Sequence, residues 1–300
     1  MDVRVVTGGR LDDRQVSDIL DLVREATEAD GVRPLNEHTM LQVHHGAEPG
    51  ARAVLLYDGD TLAGFAHLDP ADPVEGSGGE LVVRPALRRR GLGRQLLDAV
   101  LAETGGRVRV WAHGDHPGAA ALAASAGLTR ARSLWQMRRP LDAPLPAVTV
   151  PDGVRLRAFV PGKDEHAWLA LNARAFAAHP EQGAWTIEDL ELREGESWFD
   201  PDGFFLAVRD DSLAGFHWTK VHGGEGQDAE PVGEVYVVGV DPAEQGSGLG
   251  RALTLTGIEH LRSRGLAQVM LYVDEENRPA IRLYESLGFT RWNTDVMYRR

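Results

Sequence analysis

Apolar positions along the chain switch between two spacings. From Gly233 to Val240 the run Gly-Glu-Val-Tyr-Val-Val-Gly-Val is rich in β-branched residues and reads as a strand. Its two-residue period puts 234, 236, 238 and 240 on one face. Further on, Leu253, Gly257 and Leu261 recur at i, i+4 and i+8, the stripe of an amphipathic helix that Gly265 is suited to end. Leu96, Leu97, Val100 and Leu101 before Gly105 predict a similar helix earlier. Asp58-Gly59-Asp60 and Asp210-Asp211 predict hairpin turns, because these residues tolerate turn dihedrals. Each half thus reads as a short strand, helical material, a hairpin, a strand entering a glycine-rich loop, a helix, a strand, a helix and a final strand. Strand, loop, helix, strand requires a crossover, which predicts an α/β chain with a mixed, partly parallel sheet in each half.

The halves are also similar in sequence. Val3-Arg4-Val5 recurs as Val154-Arg155-Leu156 and Asp60 to Phe65 recurs as Asp211 to Phe216, both at an offset of 151. Val83-Arg84-Pro85 answers Val240-Asp241-Pro242, and Arg88 to Arg94 answers Gln245 to Arg251, at 157. His116 to Leu128 answers Asn277 to Phe289 at 161, so the copies drift only by loop insertions. Between them, Pro140 to Pro151 holds four prolines in twelve residues, a composition that forbids continuous helix. These features predict an N-terminal domain over 1–140, a proline-rich linker over 141–153 and a C-terminal domain over 154–300.

Composition narrows the function classes. The 300 residues include 32 basic and 45 acidic ones, and 32 − 45 = −13 argues against binding to nucleic-acid phosphates. With no cysteine there is no disulfide, thiolate metal site or cysteine nucleophile. No apolar run approaches the roughly 20 residues that span a bilayer, and the N-terminus lacks a basic segment followed by an apolar one. The expectation is a cytoplasmic monomer without nucleic-acid or membrane partners. His113-Gly114-Asp115-His116 offers three close ligands without a fourth, and no metal is expected in the protein.

The two loops carry the candidate chemistry. A strand ending at Val240, a loop over Gln245, Gly246, Ser247, Gly248, Leu249 and Gly250, and a helix beyond it place backbone N–H groups at a helix N-terminus. That arrangement suits a diphosphate, with Arg251 adding charge, or is a plain strand-to-helix turn. Gln245-x-x-Gly248-x-Gly250 and Arg88-x-x-Gly91-x-Gly93 resemble the acyl-CoA pyrophosphate loop of the GNAT superfamily of N-acetyltransferases. Asn277-x-x-Ala280-x-x-Leu283-Tyr284-x-x-x-Gly288-Phe289 is similar to that family's second signature, the helix beside the cofactor thiol.

The resemblance implies two tandem GNAT-like domains, acetyl-CoA as donor, and a small-molecule amine as acceptor. It assigns Val238, Gly239 and Val240 to the pantetheine and acetyl oxygen, and Asn277, Arg278 and Arg282 to the cofactor helix. Acetyl transfer needs a neutral amine and a proton for the leaving thiolate. Tyr284 suits the acid, since a phenol of pKa about 10 remains protonated at neutral pH. Glu234 suits the base, because a carboxylate entering an apolar strand needs a partner; otherwise it is a hydrated residue at the strand start.

In the first repeat the matching cofactor positions are Leu81, Val82, Val83, Arg89, Arg90, Gly91, Leu92, Gly93 and Arg94. Tyr284 there maps to Ala123 and Glu234 to Ser77, with Glu80 on the opposite strand face, so this copy lacks both acid and base. It is expected to hold a second CoA without turning it over, unless the arginines only form a solvated basic face. The tandem order and His179-Pro180-Glu181-Gln182-Gly183 leading to Trp185 resemble one branch of the family. Its acceptor is the cysteinyl amine of a cysteine-glucosamine-inositol conjugate, for which the resemblance assigns Glu37, Glu181, Lys220 and Tyr272. Two alternatives remain: another amine acceptor (aminoglycoside, polyamine or protein), or a non-catalytic acyl-CoA-sensing module.

Overall fold

The two periods become the expected elements in a computed structural model that describes residues 3–70, 76–177, 180–223 and 230–300, without the side chains of Pro180 and Glu181. The first repeat runs β1 (Val3–Gly8), α1 (Asp13–Asp30), α2 (Glu37–His45), β2 (Arg52–Asp58), β3 (Thr61–Leu68), β4 (Ser77–Val83), α3 (Leu92–Glu103), β5 (Val108–Ala112), α4 (Pro117–Ser125) and β6 (Thr129–Pro140). The second runs β7 (Val154–Ala158), α5 (Glu165–Ala175), α6 (Pro180–Gly183), α7 (Ile187–Glu194), β8 (Phe204–Arg209), β9 (Ser212–His222), β10 (Val232–Val240), α8 (Leu249–Ser263), β11 (Gln268–Asp274), α9 (Arg278–Ser286) and β12 (Thr290–Arg299). Local signals explain the ends. Asp12 and Gln15 close a capping box at α1, which stops at Gly31 with φ 70°. Asp210 and Asp211 turn the β8–β9 hairpin with φ of 45° and 62°.

Packing divides the chain at different points from the repeats. One compact unit holds the residues up to Trp135 together with Asn293–Arg300, and the other holds Gln136–Trp292. The reason in the first unit is the end of β12, which pairs antiparallel with β5 from Val296 opposite Ala112 to Arg299 opposite Arg109. Val296 and Tyr298 thereby enter that unit's core beside Leu92, Leu96 and Val100 of α3. In the second unit the proline-rich segment is pinned rather than loose. Leu141 N donates to the Ala267 carbonyl, and Arg139 Nη2 donates to the carbonyls of Ala143 and Pro144.

Each unit covers both faces of its sheet. In the N-terminal unit Ile19 and Leu22 of α1 pack on Phe65 and Val82, while α3 and α4 cover the opposite face. In the C-terminal unit Trp168 and Leu171 of α5 and Leu190 of α7 pack on Phe204, Phe216 and Trp218. Leu249 and Leu253 of α8 cover Ala207 and Ala214 on the other side. Gly257 of the predicted stripe is required by close packing, because a Cβ there would overlap the ring of His217. That imidazole is fully buried, donates from Nδ1 to the Leu253 carbonyl at 2.7 Å, and is pushed down by burial to a pKa of about 4, so it stays neutral. Gly257→Ala is expected to destabilise the chain by about 1–3 kcal/mol through overpacking. Denaturant unfolding of the full chain, with an unchanged m-value, would show it as a lower midpoint.

Candidate active site

The site of the C-terminal unit is built where two neighbouring strands part. β10 and β11 run parallel and pair at only three positions, Gly233 with Val269, Glu234 with Met270 and Val235 with Leu271. β10 continues to Val240 and β11 to Asp274 without further pairing between them. The backbone of Val238, Gly239 and Val240 is therefore released from β11 while β9 still holds its other edge. Gly239 serves packing, because a Cβ there would overlap the Phe216 ring.

Beyond Val240, a turn leads into the glycine loop. Gly246 and Gly248 adopt φ of 81° and 89°, a region that costs any other residue steric strain. Gly248 is the cap of α8 and brings no side chain to it, so the first-turn N–H groups are left to solvent or to an anion. Ser247 Oγ takes only one of them, Leu249 N at 3.3 Å. Gly250 is different: its Cβ would make ordinary contact with Val240 at 3.6 Å. Gln245 lies exposed at the loop's start, and Arg251 Nη1 donates to Ser286 Oγ at 2.8 Å, tying α8 to the end of α9.

Asn277 caps α9, its side chain accepting from Ala280 N at 3.2 Å, and Arg278 and Arg282 lie exposed on that helix. Tyr284 is buried in α9, with its ring edge-on to Phe289 at 5.8 Å. Among the described residues its hydroxyl has no hydrogen-bond partner, and burial pushes the phenol up to about 12.

Glu234 is also buried, and Glu234 Oε2 lies 2.6 Å from Nε2 of His222, whose side chain is about one-third exposed. The strand face expected for it needs correction. β10 carries a bulge between Val235, opposite Thr219, and Val237, opposite Trp218. One inserted residue reverses the alternation. Glu234 lies opposite Lys220, on the aromatic face with Tyr236 and Val237, whereas Val238 and Val240 pack on the α8 side. Lys220 is turned inward, its Nζ lying 4.1 Å from the Trp198 ring centroid and 5.3 Å from that of Tyr236. Tyr236 Oη accepts from Arg193 Nε at 3.0 Å, and the Arg193 guanidinium stacks over Trp185. Tyr272 is partly exposed, its hydroxyl accepting from Gln136 Nε2 at 2.8 Å. His179 and the side chain of Glu181 lie outside the described residues, and Glu37 is the first residue of α2 in the N-terminal unit.

The same architecture recurs in the N-terminal unit. β4 and β5 pair from Ser77 with Val108 to Glu80 with Trp111, then part. A cavity of about 550 Å³ opens there, lined by Leu81, Val82, Val83, Arg89, Gly91, Gly93, Arg94 and His113 among others. Arg90 turns away from it to pair with Asp58 at 3.3 Å, and Leu92 is a core residue of α3. His116 caps α4 as Asn277 caps α9, which accounts for that histidine without a metal. Because of the bulge, the register counterpart of Glu234 is Gly78 rather than Ser77, and Glu80 lies on the corresponding face rather than the opposite one. Glu80 Oε1 binds His113 Nε2 at 2.7 Å, and Asp295 Oδ2 binds Nδ1 at 2.8 Å. Burial opposes the charge, yet the two carboxylates hold the imidazole up at about 10. Sequence reading missed His222 and Asp295 and set Glu80 on the opposite face. Nothing local links Asp295 to His113.

Strands that part beside a glycine-capped helix, repeated twice, define a tandem acetyltransferase of the GNAT class. The sequence profile described as Acetyltransferase (GNAT) family matches residues 17–127 and 167–289. Two relatives named mycothiol acetyltransferase, from Thermobispora bispora and Streptosporangium roseum, are 68% and 60% identical, covering 94% and 100% of this chain and 95% and 100% of theirs, and the chain belongs to the mycothiol acetyltransferase family. Among solved structures, a tandem GNAT protein from the clavulanic acid biosynthesis pathway covers 100% of this chain and 98% of its own at TM-score 0.75 and 24% identity, a likeness of fold. A GCN5-related N-acetyltransferase from Sphaerobacter thermophilus covers 99% and 95% at TM-score 0.70 and 25% identity. No helix among the described residues is long and apolar enough to cross a membrane.

Proposed function

We propose that the C-terminal unit transfers an acetyl group from acetyl-CoA to the cysteinyl amine of a cysteine-glucosamine-inositol conjugate, giving mycothiol. Full-length identity to mycothiol acetyltransferases carries the acceptor assignment. The donor fits the residues present. The uncapped N-terminus of α8 with Gly246 and Gly248 suits a diphosphate, and the released edge of Val238–Val240 suits the pantetheine and acetyl oxygen. Acetyl-CoA supplies an activated acyl group as a thioester.

The chain's own residues handle the protons. Glu234 receives the amine proton, directly or through a water, and His222, partly exposed beside it, passes that proton to solvent. Demand is small, because an amine of pKa about 7.7–8.0 costs only about 1 kcal/mol to deprotonate at pH 7. Tyr284 Oη protonates the leaving sulfur. Lys220, Tyr272, Glu181 and Glu37 contribute to recognition of the acceptor. The N-terminal unit holds a second CoA in its cavity, whose volume is in the range of small-molecule sites.

The test is thiol release from acetyl-CoA across an amine panel containing the cysteinyl glucosamine-inositol, an aminoglycoside, a polyamine and a peptide amine. The expected result is the highest kcat/KM for the cysteinyl conjugate. Equal or better turnover of another amine would overturn the acceptor assignment, and CoA binding without turnover of any amine would favour the sensing module.

A further inference from the structure

A second cluster in the N-terminal unit lies outside the acetyl-transfer machinery. His67 and Asp69 stand at the end of β3, His38 on α2, and Glu48 in the loop before β2. Asp69 Oδ1 is 3.3 Å from His67 Nε2 and 3.5 Å from His38 Nε2, and His38 Nε2 is 3.8 Å from Glu48 Oε1. The donor atoms of His38, Glu48 and Asp69 all lie within 4.8 Å of one another.

Two of these atoms are paired only loosely. His67 is 3% exposed, and both its Nε2 and Asp69 Oδ1 are buried without a hydrogen-bond partner. They face each other without hydrogen-bond geometry, a costly state for buried polar atoms, and a cation held at Asp69 Oδ1 would satisfy that oxygen.

We propose that His38, Glu48 and Asp69 bind a divalent transition metal of the zinc type, with His67 standing behind Asp69 as its buried neighbour. Nitrogen and oxygen donors at roughly 2.0–2.1 Å around a tetrahedral zinc stand about 3.3 Å apart, close to the 3.5 Å from His38 Nε2 to Asp69 Oδ1 and the 3.8 Å from His38 Nε2 to Glu48 Oε1. The two carboxylates balance a divalent charge, and one imidazole completes the donor set. Gln42 Nε2 lies 2.7 Å from His38 Nε2, and the metal displaces this amide from the ring nitrogen. Three protein donors leave a fourth position for water, and the bound metal clips α2 and the following loop to the end of β3. By register His67 and Asp69 answer Trp218 and Lys220, so the site belongs to the N-terminal repeat alone.

Chelator-treated full-length protein is titrated with zinc sulfate by calorimetry, alongside elemental analysis. One zinc per chain and a raised melting temperature are expected. Asp69→Asn and His67→Gln should each weaken binding by more than about tenfold. Glu48→Gln should also weaken it, and this half-exposed loop position keeps the test valid if the buried His67 variant misfolds. His166→Gln, exposed in the other unit, should change nothing. Absence of zinc binding by the unmodified protein, or zinc affinity unchanged in both Glu48→Gln and Asp69→Asn, would overturn the site.

Discussion

Tyr284→Phe is expected to lower kcat by about 10²–10⁴-fold, the usual contribution of a positioned acid, with acetyl-CoA affinity nearly unchanged. The substitution removes one oxygen that has no hydrogen-bond partner among the described residues, so no internal bond is broken. The ring contact with Phe289 remains, and the fold should tolerate the change. Burial raises the phenol to about 12, which makes proton delivery to a thiol of ordinary pKa near 8.5 more uphill than an exposed phenol would be, by about 2 pK units or roughly 3 kcal/mol. A thiolate forming beside Tyr284 would share the same desolvation, which raises its own proton affinity and narrows that gap. The raised phenol pKa also sets a pH expectation. Tyr284 stays protonated through pH 10, so its loss as an acid should appear only as pH rises toward 12. Rapid-quench kinetics separate chemistry from product release. Unchanged turnover in Tyr284→Phe would remove the acid assignment.

Glu234→Gln is expected to cut kcat/KM for the amine by about 10²-fold near pH 7. The defect should shrink as pH rises above about 8, where the amine reaches the enzyme already neutral. That pH dependence distinguishes a base from a carboxylate that merely organises Lys220 or His222, whose removal would cost activity evenly across pH. A pH-independent loss, or an effect confined to KM, would overturn the role of Glu234. His222→Asn should reproduce part of the defect at neutral pH while leaving Glu234 in place, because the imidazole is the group 2.6 Å from the carboxylate and about one-third exposed.

Much of this site is legible along the chain because its determinants are local. Gly246 and Gly248 occupy left-handed backbone positions, and Asn277 caps its helix, each within a few residues of the feature it controls. In the first repeat the same loop position is filled by Arg89 at φ 63°, so the motif is degenerate there although the turn persists. Strand faces were less accessible. The alternation rule put Glu234 with Val238 and Val240, and it failed because one extra residue entered between Val235 and Val237. That same residue misaligned Glu80, which shares the corresponding face in the other repeat.

Element order, the duplication, the glycine loop and the family were determined by the sequence itself, since period, turn dihedrals and caps act over a few residues. Only the tertiary structure decided which way Glu234 faces, where β10 leaves β11, that His113 sits between Glu80 and Asp295, and that the last strand completes the N-terminal sheet. Each depends on register between segments far apart in the chain, and register is chosen by the packing of whole faces against one another.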